Sequence, residues 1–299
     1  MTYLSHLLIY LNIYVIVALG LNMIVGYCGR LTLSQAGYFA IGSYAYALAS
    51  VAWHWGFLPS VALGAGLAAV LSMAISLPSW RLKGDFFVMV SLAVQIVILS
   101  AIYNWYRPEA PLGTLRNLTN GPAGISGVPK PDMFGIKFDT VGSLAILATV
   151  TAGVCLLLGA LLLKSPWGRV LQALRDDELA AKGLGKNVRL FKLQAFAIAC
   201  ALLAVGGALY ASYVSFIDPS VASLDQSVLM LCMVVIGGIG NFRGPLVGAF
   251  MLLAFPEVLR FLNIPIALAA EVRLMAYGLL LVVMMHFRPQ GLCGSYRIE

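Results

Sequence analysis

Residues 31–80 contain no Asp, Glu, Lys or Arg, and neither do residues 1–29. A charge placed in the middle of a bilayer costs about 2.5 kcal/mol or more on insertion scales. Long charge-free windows therefore mark chain that is selected to lie in lipid. Composition supports this. Of 299 residues, 61% are apolar and 10% charged, against about half and about a quarter in a soluble domain. A water-soluble fold this poor in charge could not cover its own surface. Each span uses about 20 residues, so nine would use roughly 180. The expected fold is an all-α, polytopic membrane helical bundle of about nine spans, within a range of eight to ten. Residues 1–299 then form a single transmembrane domain with no room for a separate soluble one.

The windows place spans at 7–25, two within 31–80, then 86–105, 141–163, 193–214, 227–239, 244–259 and 274–287. The turn inside 31–80 falls at the aromatic cluster 53–59, suited to a membrane interface. The apolar start lacks a charged leader segment and reads as a first span. Lys and Arg favour the cytoplasmic side. With 164–192 inside, the inside holds Arg30, Arg81, Lys83, seven basic residues of that loop, Arg243, Arg288 and Arg297. The outside holds Arg107, Arg116, Lys130, Lys137, Arg260 and Arg273, a split of 13 to 6 among the 19 basic residues. The N-terminus is then external and the C-terminus cytoplasmic. The Pro-, Gly- and Asn-rich stretch 107–140 becomes an external loop, and 164–192 a cytoplasmic one.

Catalytic patterns are missing. The three histidines, His6, His54 and His286, stand far apart, and neither H-E-x-x-H nor G-x-S-x-G occurs. A phosphate-binding loop closing on Gly185-Lys186 would need Gly where Ala180 stands and Ser or Thr where Asn187 stands. The chain should therefore not hydrolyse ATP. Five cysteines without C-x-x-C spacing argue against a disulfide framework or zinc site. The expectation is no catalytic residue, no metal and no cofactor.

Two stretches carry functional signals. In 164–192, Ser165-Pro166 reads as a helix start. Trp167, Leu171, Leu174 and Ala181 form an apolar stripe beside Asp176, Asp177 and Glu178. Gly183 and Gly185 can stop the helix, and Asn187 can cap the next. Such a helix either lies on the membrane as a connector or docks in a partner's groove. The second stretch, 26–44, crowds Ser34, Gln35, Gly37, Gly42 and Ser43 into a charge-free window. Polar or irregular backbone in lipid is tolerated inside protein or along a wet cavity, and interrupted helices mark substrate sites in transporters. Asn22 and Gln95 are further intramembrane polar groups, each more often interhelical glue than a ligand. On this reading Gly42→Leu should block a route while leaving assembly intact. Gly240, Gly244 and Gly248, and Gly207 with Ala211, have the small-residue spacing of close helix packing.

These residues also resemble a known family. Ala18-Leu19-Gly20-Leu21-Asn22, Gly26, Leu33-Ser34 and 39–44 are similar to the start of branched-chain amino-acid ABC transporter permeases of the LivM type. So are 81–87, the loop 119–127, and the run Gly206-Gly207-Ala208-Leu209-Tyr210, then 234–240 and Gly244-Pro245. Gly168-Arg169, 173–178 and Ala180-Ala181 with Gly183 and Gly185 resemble the family's cytoplasmic coupling loop. The resemblance covers about residues 18–260. Members often carry Gly-His where this chain has Ser34-Gln35, a departure that bears on substrate rather than on fold.

The resemblance implies a permease subunit of an importer in a bacterial or archaeal inner membrane. Its implied partners are a second related permease, two cytoplasmic ATPases that bind the ATP, an external substrate-binding protein and the lipid bilayer, with no nucleic acid. Its implied coupling residues are Arg175, Asp176, Asp177, Glu178, Ala180, Ala181, Gly183 and Gly185. Asn22, Ser34, Gln35, Gly37, Gly42 and Gln95 would lie on or beside the route. Cargo would be branched-chain or other hydrophobic amino acids, or related small amides and acids. A stand-alone secondary transporter or channel is the alternative. It would need intramembrane charges for a coupling ion, which the first seven windows lack.

Overall fold

A computed structural model describes residues 2–79, 84–133, 135–260, 266–287 and 291–294. Arg81, Lys83, Arg288 and Arg297, which enter the count of basic residues, lie outside the described residues. So does the 81–83 start of one family-like stretch.

The chain runs through α1 (Thr2–Asn22), α2 (Gln35–Val51), α3 (Phe57–Ser79), α4 (Asp85–Asn104) and α5 (Val141–Lys164). Two short helices follow, α6 (Pro166–Asp176) and α7 (Glu178–Gly183). Then come α8 (Val188–Val214), α9 (Leu224–Gly237), α10 (Gly244–Arg260) and α11 (Ile266–Phe287). The end of α1 widens into a π-helical turn, Met23–Tyr27. Among the described residues, five helical stretches are long and apolar enough to cross a bilayer: Tyr3–Tyr27, Phe57–Ser76, Asp85–Asn104, Val141–Lys164 and Val188–Val214. This is a multi-pass helical membrane protein. Helices α2, α9 and α10, over other windows, are shorter, at 17, 14 and 17 residues. The 14 residues of α9 rise about 21 Å, short of a hydrocarbon core of about 30 Å.

Burial divides these helices into a centre and a belt. The apolar windows of α1 and α8 are 72% buried, those of α3, α4 and α5 only 22–33%. The belt helices turn Val70, Met89, Val97, Ile146 and Leu157 outward, as a lipid-facing surface requires. In the centre, α8 lies against α1, α2 and α3. Small residues make this approach possible. A Cβ on Gly42 would overlap the Ala204 backbone, and one on Gly207 would overlap the carbonyl of Phe39. Ser43 Oγ donates to Gly207 O at 2.9 Å across the same crossing. The polar, glycine-containing α2 is thus shielded from lipid by its neighbours, with most of its residues buried. Gly237, Gly244 and Gly248 perform the same service where α9 crosses α10.

Loops 107–140 and 164–192 sit at opposite ends of the bundle, because α5 runs between them. The first is ordered by two small antiparallel ladders. Strand β1 (Ile125–Ser126) pairs with β4 (Phe216–Ile217), and β2 (Asp132–Met133) with β3 (Ile136–Lys137). The first ladder ties the long loop to the irregular segment 215–223 that leads from α8 into α9.

Candidate functional site

The 164–192 loop folds as two helices rather than one. Ser165 takes the extended N-cap conformation with Pro166 at the first helical position. Its hydroxyl, however, donates back to Leu162 O at 2.6 Å instead of capping α6. The helix stops at Asp176 because Asp177 is extended. The Asp177 carboxylate then accepts from Leu179 N at 2.8 Å and Ala180 N at 3.0 Å, an N-cap for α7. Asn187 caps α8 as its position suggested, accepting from Leu190 N.

The direction of the apolar stripe is the main correction to the sequence reading. Leu171, Leu174 and Ala181 are buried against Cys28, Val188 and Ala195 of the same chain, with Trp167 and Phe191 packed on the cluster. The stripe anchors the loop to its own bundle and does not supply a face to a partner. Burial in this cluster pushes the Cys28 thiol up to about 11. The outward side carries other groups. Leu179 and Leu184 are 76% and 80% exposed. An open groove of about 330 Å³ is lined by Pro166, Arg169, Val170, Ala173, Ala181, Leu184 and Lys186.

The acidic trio is also engaged within the chain. Asp176 pairs with Arg175 at 3.0 Å, Asp177 is the cap, and Glu178 pairs with Lys192 at 2.5 Å. Lys192 is largely buried, so reversing Glu178 would strand its charge. Of the two glycines that could stop the helix, it is Gly185 that takes the left-handed conformation, with φ +76°. Gly183 is the last residue of α7 with open space around it. Ala180 is exposed and Ala181 buried.

The intramembrane polar residues come together at the starts of α2 and α9. Gln35 Nε2 donates to Ser227 O at 2.6 Å, and Ala36 N to Ser227 Oγ at 3.3 Å. Gly37 N donates to Gln95 Oε1 at 2.7 Å, while Gln95 Nε2 donates to Ala222 O. Since Gln95 lies half way along α4, both helix starts meet at that level. Ser34 is the N-cap residue of α2, its hydroxyl bonded to that of Thr32 at 2.9 Å. Gly42 stands apart at the Ala204 crossing. Asn22 lies elsewhere again, beside the loop that follows α9. Its Nδ2 donates to Asn241 O at 3.0 Å and its Oδ1 accepts from Gly240 N at 3.1 Å.

One large cleft escaped the sequence reading. It measures about 660 Å³ and is lined by Tyr10 and Tyr14 of α1, Phe39 of α2, Tyr210 of α8, Asp225 of α9 and Tyr277 of α11, among others. It lies toward the end of the bundle opposite the 164–192 loop. Phe39 and Tyr210 face each other with ring centroids 5.6 Å apart. These aromatic residues come from four different helices, α1, α2, α8 and α11, so no local spacing announces the cleft.

Comparison with known proteins places this architecture. Residues 3–285 match the family described as branched-chain amino acid transport system / permease component. The chain is 32% identical to the high-affinity branched-chain amino acid transport system permease protein LivM of Escherichia coli K12, over 95% of this chain and 68% of that protein. It is 26% identical to a probable branched-chain amino acid transport permease protein LivM of Methanocaldococcus jannaschii, over 96% and 92%. Over 48% of its length it is 28% identical to the autoinducer 2 import system permease protein LsrC of Salmonella paratyphi B, covering 41% of that protein. No solved structure matches it. A helical bundle poor in charge, with buried polar helix starts and matched almost end to end by such permeases, belongs to the branched-chain amino acid transport system permease family, LivM type.

Proposed function

We propose that this chain is the membrane-spanning permease subunit of an ATP-driven importer for branched-chain or other hydrophobic amino acids or related small amides and acids. The observation that carries the ATPase-dependent part is the outward face of α6 and α7. Leu179 and Leu184 project from a loop whose own apolar stripe is already buried. Exposed leucines beside a groove, on a rigidly anchored helix pair, suit a protein partner's surface. That partner is a cytoplasmic ATPase, present twice in an assembly with a second related permease and an external binding protein. ATP is bound there, and this chain contributes no cofactor. The single permease domain spans 1–299, with 164–192 and the C-terminus cytoplasmic and the N-terminus and 107–140 external, in the inner membrane of a bacterium or archaeon.

Solute enters from the external end through the tyrosine-lined cleft and passes beside the polar helix starts, with Ser34, Gln35, Gly37 and Gln95 nearest the route. Asn22 and Gly42 border it as packing positions. The cleft suits an apolar amino acid, because its rings offer apolar surface while Asp225 and the phenolic hydroxyls offer polar partners. The E. coli relative's name states branched-chain amino acid transport, which supports this cargo.

The test is capture of the ATPase. The permease, co-expressed with its ATPase, should retain it through purification. Leu184→Asp should weaken retention by about 2 kcal/mol, roughly thirtyfold in affinity, without lowering thermal stability. Undiminished retention by Leu184→Asp together with Leu179→Asp would dismiss this face as the docking surface. Orientation has its own check. Single cysteines at 120 and 180 are probed in intact cells with an impermeant thiol reagent, and only the one at 120 should react. The reverse pattern inverts the topology.

A further inference from the structure

Arg175 belongs to the last turn of α6, but its side chain leaves the docking loop. Its Nη1 donates to the carbonyl of Gly26 at 2.8 Å, inside the π-helical turn at the end of α1. Its Nε holds Asp176 at 3.0 Å, so the planar guanidinium is oriented from two directions at once. Its stem runs against Gly29, where a Cβ would stand 2.7 Å from Arg175 Cγ and φ is +66°. Only glycine leaves this path open.

The same turn is gripped from its other side. Asn22, immediately before it, bonds Gly240 and Asn241 in the loop between α9 and α10. Asn241 Nδ2 donates to Cys293 O at 2.7 Å, and Cys293 N donates to Gly237 O at 3.0 Å. Docking loop, end of α1, α9–α10 break and segment 291–294 are thus joined through consecutive hydrogen-bonded links, and the π turn is the middle one. A π turn holds one residue more than an α turn and often marks functional sites. Its migration or loss would shift the chain beyond it by one residue.

We propose that Arg175 is a positioning residue that passes displacement of the docking loop to the π turn, and through Asn22 to the α9–α10 break. The state of the ATPase thereby sets the conformation of the permease's cytoplasmic end. This rests on the reading of 164–192 as an ATPase-docking loop.

Hydrogen exchange of the purified complex, with and without a non-hydrolysable ATP analogue, tests it. In the wild type, the analogue should change exchange in 164–187, 22–30 and 237–243 together. In Arg175→Gln, 164–187 should still respond while 22–30 and 237–243 fall silent. Substrate-stimulated hydrolysis per retained ATPase should drop about tenfold, as loss of a charged hydrogen bond implies. In Asn22→Ala, 22–30 should respond and 237–243 should not. Arg175→Lys, which keeps charge but not the fork, should show a reduced 22–30 response and decides the matter if Arg175→Gln does not accumulate. A wild-type response at 22–30 in the Arg175 variants overturns the relay while docking stands. A wild-type permease that retains no ATPase removes the docking reading, and the relay with it.

Discussion

Gly42→Leu should deplete folded permease from the membrane rather than yield an assembled but blocked transporter. Gly42 faces the backbone of Ala204 on α8, and even a Cβ there would overlap it. Gly64 of α3 closes the other side, its own would-be Cβ only 3.2 Å from Gly42 Cα. Backbone cannot rotate aside as a long side chain can, so α2, α3 and α8 would have to separate. Overpacking a well-packed interior costs about 1–3 kcal/mol and occasionally more, and an obstruction by backbone belongs at the upper end. The measurement is the yield of monodisperse protein extracted in detergent, with its thermal midpoint. Gly66→Leu is the control, since that glycine of α3 has no heavy atom within 4 Å of a would-be Cβ. Wild-type yield and midpoint for Gly42→Leu would refute the crossing as the reason for glycine.

Leu171→Ala should release the docking loop while leaving the bundle intact. Leu171 is fully buried at the centre of the small cluster that ties α6 and α7 to Cys28 and the base of α8. Truncating a buried leucine costs about 2–5 kcal/mol. The cost falls on local opening of the loop, because the cluster is separate from the main apolar core. Protease added to inverted vesicles should cut within 164–187 much faster than in the wild type, and ATPase retention should fall. The bundle's thermal midpoint should stay. Leu184→Asp should lose retention with no change in cleavage, so the two variants separate anchoring from contact. Wild-type cleavage and retention for Leu171→Ala would mean that the cluster contributes nothing to the loop's hold.

The contrast between these two leucines shows where sequence periodicity stops. Trp167, Leu171, Leu174 and Ala181 announce an amphipathic helix, since their spacing repeats with the helical turn. Spacing says which residues share a face. It does not say whether that face meets a partner or the chain's own base, and here it meets the chain's own. The leucines left for a partner, Leu179 and Leu184, follow no periodic pattern because α7 starts afresh at the Asp177 cap. Spacing was equally silent on the acidic trio: Asp176, Asp177 and Glu178 find partners within the chain at Arg175, the α7 amides and Lys192, the last contributed by another helix.

Sequence alone determined that this is a helical membrane protein, and where its apolar stretches run, because charge exclusion and chain length are local properties that lipid enforces residue by residue; its LivM type was legible only through resemblance to known permeases. Only the tertiary structure decided which helices form the centre. The windows of α1 and α8 have mean hydropathy 2.2 and 2.0 and those of α3 and α4 1.9 and 2.4, yet burial separates the pairs sharply. Lipid tails are as apolar as leucine, so hydropathy cannot distinguish a face turned to lipid from one turned to protein. The tyrosine cleft, the Gln35–Ser227 and Gly37–Gln95–Ala222 contacts and the Arg175–Gly26 link escaped sequence reading likewise, because each joins residues that only the packing of distant helices brings within hydrogen-bonding or van der Waals reach.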